Sequence, residues 1–514
     1  MKSLSNLWRA GETKWRLKSL LDKIHTPTWL VILFAVVLIL RIPSFFEPFS
    51  YGDEMIYLAL GEGLRQGMVF YRDIHDNKPP FLYILAAVAK NVFWFRVILA
   101  FWNLATIFVF WKIAERLFPK KEKVQKVATV IFALLTTLPL LEGQVANAEV
   151  FMLLPSLAAF LILLTKKLNF RNLFGAGILF SMATLFKIPA AFDLPVILVF
   201  WLIFLKLEKD SLKGFIRKTL FLGLGFLAPI LISFFFYFLK GALGEYISAA
   251  FLQNIGYLSS WRAAASPQPF FVKNGPLLVR GGVVLFGLVL LYLRKNKLSK
   301  TFIFIVIWLL FSLFAVTLSE RPYPHYLIQS VPAISFLLTM LVMDKTIEQV
   351  LVIIPLSLTV FVPVYYNFWH YPTIPYYSRF IEFAVGRISK EEYFARFDGN
   401  VNRNYRIADV ILRSTGKKDK IFVWGDSPTL YALTRRFPPI KYVATYHVQD
   451  FYSKKGVVDA LESDNPKVIV LLPKSPEFKE LAPFVRKNYF LIDEIDGAEL
   501  YYLMSPKIRA FLAR

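Results

Sequence analysis

Asp53 and Glu54 stand side by side in the stretch SYGDEMIYLALGEGLRQGMVFYRDIHDNKPPF, residues 50–81, which continues through Asp73 and Asp76 to Lys78-Pro79-Pro80. An ionised carboxylate can take a proton from an attacking hydroxyl, and a fixed cation can steady a departing phosphate. Pro79 pushes Lys78 toward extended backbone, which aims its side chain reproducibly. Three further clusters carry the same kinds of group. EGQVANAEVF puts Asn147 and Glu149 where an apolar run opens; an acid there serves either the reaction or the start of a helix. Lys187, in MATLFKIPAAF, ends another apolar run and reads as a snorkelling lysine or as a phosphate ligand. SERPYPHYLIQSVP holds Glu320, Arg321, His325 and Tyr326; Arg321 either grips an anion with its guanidinium fork or pairs with Glu320. Together these groups suit transfer from a lipid-linked anionic donor to a hydroxyl acceptor. The plain alternative is that residues 50–81 are charged because the loop is wet.

The elements that would position them are membrane helices. The chain has 514 residues, 56% hydrophobic and 17% aromatic, with a mean hydropathy of +0.51. Apolar runs of about 20 residues, enough to cross a bilayer, recur over the first 370 positions, and the period-two pattern of an outer-membrane barrel is absent. The expectation is a polytopic α-helical membrane protein of the plasma membrane. There is no cysteine, which excludes disulfides, thiolate catalysis and Cys-ligated metals. The formal charge of +24 sits largely in short connectors, where it fixes topology and meets anionic lipid, so no nucleic-acid partner is expected.

A basic segment, residues 1–28, precedes the first span and reads as cytoplasmic rather than as a cleaved signal. Eleven spans are expected: Trp29 to Phe45, Phe93 to Phe118, Val124 to Leu140, Val150 to Leu164, Leu173 to Lys187, Asp193 to Leu205, Thr219 to Leu239, Gly275 to Tyr292, Thr301 to Leu318, Tyr326 to Val342 and Val350 to Tyr366. FLYILAAVAKN is too short for a span and reads as a helix at the outer interface. Counting it as a span would put the basic connector PKKEKVQK outside. This topology makes residues 29–370 the membrane domain and brings the outer loops 46–92, 141–149, 240–274 and 319–325 to one face. Ionisable groups gather at span ends rather than at the midplane, which favours an enzyme over a transporter or flippase for lipid-linked glycans.

Beyond a connector, residues 371–399, apolar runs shorten to strand length. KIFVWG, KVIVLL and YFLIDEI alternate with amphipathic helices NRNYRIADVILRSTG, KKGVVDALESD and PEFKELAPFVRKN. That alternation predicts a small α/β domain over residues 400–514, outside the cell, since an odd number of spans separates it from a cytoplasmic N-terminus. VWGDSP lacks a dinucleotide-binding glycine pattern.

The first outer loop resembles that of the GT-C glycosyltransferases. It is most similar to the branch of protein O-mannosyltransferases (glycosyltransferase family 39-like), the aminoarabinose transferases of lipid A and the RgtA/B/C/D-like enzymes. The matching residues are Asp53-Glu54, Tyr57, Gly67, Tyr71, Asp73, Lys78-Pro79-Pro80 and Tyr83, with Phe186-Lys187 and His325-Tyr326 further on. The resemblance spans residues 28 to 345. It implies a GT-C fold and an inverting transfer from a polyprenyl-phosphate sugar to a glycan, lipid or protein; a monomer in the bilayer is expected. It makes Asp53 the catalytic base, with Glu54 beside it and Glu149 assisting. It gives the donor phosphate to Lys78; Lys187, Arg321 and His325 are expected as further ligands from their own clusters. Substrate contacts would come from Tyr57, Asp73, Asp76, Tyr83, Asn147 and Tyr326. Asn77 stands where the aminoarabinose branch has Glu, and Glu149 where several branches have Asp. No obligatory metal or cofactor is expected, and a divalent metal stays open.

Overall fold

The computed structural model describes residues 26–206, 208–254, 269–343 and 345–506. Most of the basic N-terminal segment and residues 255–268 of the outer loop 240–274 lie outside the described residues. Among those described, eight helices are long and apolar enough to cross a membrane: Thr28–Phe46, Val92–Leu117, Ala148–Thr165, Lys209–Leu239, Phe270–Arg294, Lys300–Thr317, Pro324–Met343 and Ile347–Tyr365. The other three expected spans are shorter helices: Glu122–Leu135 (14 residues), Phe170–Phe186 (17) and Asp193–Ile203 (11). At 1.5 Å per residue they reach about 17 to 26 Å, under the ~30 Å of a hydrocarbon core. Proline turns cut two of them short. Pro139 opens a 3₁₀ turn after Glu122–Leu135, and Pro189 lies in the 3₁₀ turn Ile188–Phe192 that joins the other two.

The helix Lys300–Thr317 runs through the middle, buried along nearly its whole length. Lys209–Leu239 and Phe270–Arg294 instead present Ile232, Phe235, Phe271 and Val279 outward. An all-round apolar helix tolerates that only against lipid. Gly177 and Gly225 let Phe170–Phe186 and Lys209–Leu239 approach to backbone contact, since a Cβ at either position would collide with the other helix.

The acidic stretch is more structured than a wet loop. Gly52–Arg65 is a helix, with Met55 to Leu60 buried. It lies against the short helix Phe81–Ala89, and a Cβ on Gly61 would come within 2.6 Å of the Ala87 nitrogen. Phe81–Ala89 stays separate from the span that follows. Lys90 adopts a left-handed backbone (φ 68) at its end, and the Asn91 side chain accepts from the Trp94 N–H (3.0 Å) to start the next helix.

The C-terminal part carries a four-stranded sheet of order β1-β2-β4-β3: β1 Ile421–Trp424, β2 Val468–Leu471, β3 Tyr489–Ile495, β4 Ala498–Leu503. β1 and β2 are parallel, Ile421 opposite Val468; β4 is antiparallel to both neighbours, with Val468 opposite Tyr502 and Tyr489 opposite Leu503. Asp496 and Gly497, both with positive φ, turn β3 into β4. Alternate residues face opposite ways. Phe422, Trp424 and Ile469 join a small core with Val457, Leu461 and Phe484. Ile421, Val423, Val468 and Val470 join the main core, which runs on without a break into the helix Gly52–Arg65.

Candidate active site

Asp53 sits in the first turn of Gly52–Arg65, half-buried. Tyr57, one turn on, donates to its Oδ2 (2.9 Å). The Lys78 ammonium lies 3.7 Å from the same oxygen and 5.1 Å from the centre of the Tyr57 ring. Lys78 is held by its neighbours. Tyr71 donates to its carbonyl (2.8 Å), and its ammonium stands 3.9 Å from Asp76 Oδ2. Asp76 is fully buried and accepts from Tyr83 Oη (2.5 Å) and the Asn77 N–H (2.6 Å). Withdrawal from water pushes the Asp53 carboxyl up. Lys78, His325 and the Tyr57 hydrogen bond outweigh it and hold the group below its usual value. Asp76 follows the same pattern, with Lys78 as the main opposing cation.

A second group forms where Ala148–Thr165 begins. Glu149 is ion-paired with Lys187, whose ammonium stands 3.6 Å over the Tyr326 ring. His325 Nε2 lies 3.6 Å from Glu149 Oε1. Its Nδ1 contacts Glu142, which also accepts from Tyr51 Oη (3.0 Å). Asn147 donates to Tyr51 Oη (3.3 Å). Glu142 holds its fully buried carboxylate there from a left-handed backbone, φ 57, a conformation uncommon outside glycine. The two groups meet at one cavity of about 110 Å³, lined by Lys78, Asn77, Glu149, Lys187, Tyr326 and a wall of apolar residues.

Three residues of the sequence reading lie elsewhere. Glu54, next to Asp53, points to a different side of the helix and is buried. It accepts from Arg96 Nη2 (2.6 Å) and the Ala146 N–H (2.6 Å), beside Glu47, which also pairs with Arg96 (3.3 Å). Adjacent helical residues diverge by about 100°, so the pair cannot share a substrate. Asp73 pairs with Arg72 (2.8 Å) and accepts from the Val69 N–H (2.7 Å), which closes an exposed turn. Arg321 is half-buried, outside the cavity lining, and Glu320 pairs with Arg280 (3.1 Å).

Several residues of the site were not anticipated. Glu142 shares a short loop with Glu149, and a second acid so close was a readable signal. Tyr51 and Asn254 had none; Asn254 donates to the Asn77 carbonyl (2.8 Å). His447 comes from the C-terminal helix Thr445–Phe451 and brings Nε2 to 3.6 Å from Asp76 Oδ1. Burial pushes its pKa down against the pull of Asp76. More of that segment packs here: the His75 N–H donates to the Lys441 carbonyl (2.9 Å).

The sequence matches no family model and no curated protein. Solved structures do match. The structure of ArnT from Cupriavidus metallidurans bound to undecaprenyl phosphate is similar over 94% of this chain and 99% of that one, with a TM-score of 0.56 and 14% identity. The apo state of ArnT from the same organism is similar over 92% and 97%, with a TM-score of 0.52 and 15% identity. This chain has the GT-C glycosyltransferase fold. At such identity the likeness is one of fold, and the chemistry rests on the side chains above.

Proposed function

We propose that this chain is a membrane glycosyltransferase that moves a sugar, with inversion, from a polyprenyl-phosphate donor to a hydroxyl acceptor. The observation that carries the reading is the double lysine–carboxylate arrangement: Lys78 beside Asp53 at 3.7 Å, Lys187 paired with Glu149, and both lysines lining one cavity. The related fold of ArnT, seen bound to undecaprenyl phosphate, supports a lipid phosphate in that cavity. Asp53 takes the acceptor proton as the acceptor oxygen bonds to the anomeric carbon. The bond from that carbon to the phosphate oxygen breaks, and the phosphate leaves with its new charge on Lys78 and Lys187. Tyr57 orients Asp53; Glu149 holds Lys187, and His325 faces Glu149. Glu54 pairs with Arg96 and acts through the position of the helix.

A divalent ion at either carboxylate would have to displace the lysine already there, so the lysines supply the positive charge in this reading. The N-terminus is cytoplasmic and residues 400–506 are extracytoplasmic, so protease added to sealed cells should digest the latter. The reaction is tested with a panel of radiolabelled polyprenyl-phosphate sugars and native membranes. Label should pass to an acceptor with wild type. The reading fails if no donor loses its sugar to acceptor or water.

A further inference from the structure

A second cavity, of about 370 Å³, opens on the other side of Tyr51. Its lining includes Ser50, Tyr51, Gln144, Tyr371, Phe397 and Asp398. Gly52 also lines it, so Asp53 is the next residue along the chain. A line of polar contacts joins the two cavities: Tyr51 donates to Glu142, Glu142 contacts His325, and His325 faces Glu149, which lines the first cavity.

The two linings differ in charge. The first has two lysines. The second, among the described residues, has no lysine or arginine and two carboxylates, Glu47 and Asp398. Glu47 is tied to Arg96 and Tyr376; Asp398 is exposed. Arg379 stands outside the lining, stacked 3.7 Å over the Phe397 ring. It is committed to Tyr371 Oη and the Arg396 carbonyl, both at 2.7 Å, which fixes the aromatic wall. The Gln144 side chain is buried with neither its nitrogen nor its oxygen hydrogen-bonded. Such a group is rare in a native protein and marks a place where a hydroxyl-bearing partner would complete the set.

We propose that this cavity seats the acceptor, and that the acceptor is an uncharged, hydroxyl-rich sugar chain rather than a phosphorylated one. Flat aromatic faces cover the C–H faces of sugar rings. A carboxylate, a hydroxyl and an amide serve sugar hydroxyls, while a phosphate would meet the exposed Asp398 carboxylate, with Arg96 already paired to Glu47 and Arg379 turned to the Tyr371 hydroxyl and the Arg396 carbonyl. The inference rests on the transferase reading above and names the substrate class of that same site.

Two measurements on the purified full chain in nanodiscs separate the two claims. Release of sugar from a polyprenyl-phosphate sugar into water tests the transferase reading alone. Saturation-transfer binding of neutral trisaccharides and of their phosphomonoesters tests the acceptor site. The neutral sugars should bind, the phosphomonoesters at least about tenfold more weakly, and Phe397→Ala should weaken neutral binding by about tenfold. Asp398→Lys should raise phosphomonoester binding to the level of the neutral sugars, a gain that misfolding cannot mimic. Phosphomonoesters binding wild type as tightly as neutral sugars would overturn the inference. So would unchanged neutral binding in Phe397→Ala, or unchanged phosphomonoester binding in Asp398→Lys.

Discussion

The ammonium of Lys78 lies 3.7 Å from Oδ2 of Asp53. At that distance the lysine keeps the carboxylate ionised and at the same time weakens it as a base. A donor phosphate arriving in the cavity would draw off the field of Lys78, so the carboxylate would become more basic only when there is a sugar to transfer. Asp76, buried beneath Lys78, keeps the ammonium near both.

Asp53→Asn keeps size and hydrogen bonding and removes the base. Turnover should fall on the order of a hundredfold or more, with donor affinity close to wild type. Transfer assays with saturating donor, paired with donor binding, check it. Near-normal turnover in a folded variant would exclude Asp53 as the base.

In the proposed mechanism, Lys78 should set the acid limb of the pH profile. The Asp53 carboxyl is held below its usual value of 3.8 by Lys78 and its other partners, and a general base at Asp53 would need it ionised. Activity should therefore rise with pH through a limb that lies below the ordinary carboxylate range. Lys78→Ala removes the main stabilising cation, so that limb should move to higher pH, with weaker donor binding in addition. A limb that stays in place or moves down would mean that Lys78 does not set the charge on Asp53.

Much of this site was legible in the sequence, and the misses have physical causes. Asp53, Lys78, Glu149 and Lys187 stood out because a fixed charge at the end of an apolar run is expensive unless it is used or paired. The GT-C likeness was readable from the long pattern between Asp53 and Tyr83. Glu54 misled because neighbours in sequence face different ways once a helix forms, and the charges of residues 50–81 hid that helix. β4 went unseen although Asp496-Gly497 is a strong hairpin signal. The approach of His447 to Asp76 could not be read at all, since it depends on how two distant segments pack. The shortness of three expected spans was hidden because hydropathy runs on through the turns at Pro139 and Pro189.

Glu54 should matter for folding. Its carboxylate is buried against Arg96 and the Ala146 N–H; Glu47 would remain paired with Arg96, so the loss should fall below the about 3–5 kcal/mol of a fully uncompensated buried charge. Glu54→Gln should lower the unfolding temperature clearly. The fraction that remains folded should turn over within about threefold of wild type. A hundredfold loss of turnover at unchanged stability would move Glu54 into the chemistry.

His447 brings the C-terminal segment against the candidate site. Its Nε2 faces Asp76 at 3.6 Å, Asp76 stands 3.9 Å from Lys78, and Lys78 faces both Asp53 and the cavity. The imidazole touches neither base nor phosphate, so it acts by fixing the Asp76 carboxylate, and through it the lysine. His447→Ala should raise the donor KM by up to about tenfold, the scale of one polar neighbour lost beside a buried carboxylate. Turnover at saturating donor should change much less. His447→Gln, which keeps a polar N–H on the side of Asp76, should recover most of the loss. A general weakening of the fold would lower yield and unfolding temperature in both variants without separating KM from kcat. Equal donor KM in wild type and His447→Ala would show that the C-terminal segment covers the site without shaping it.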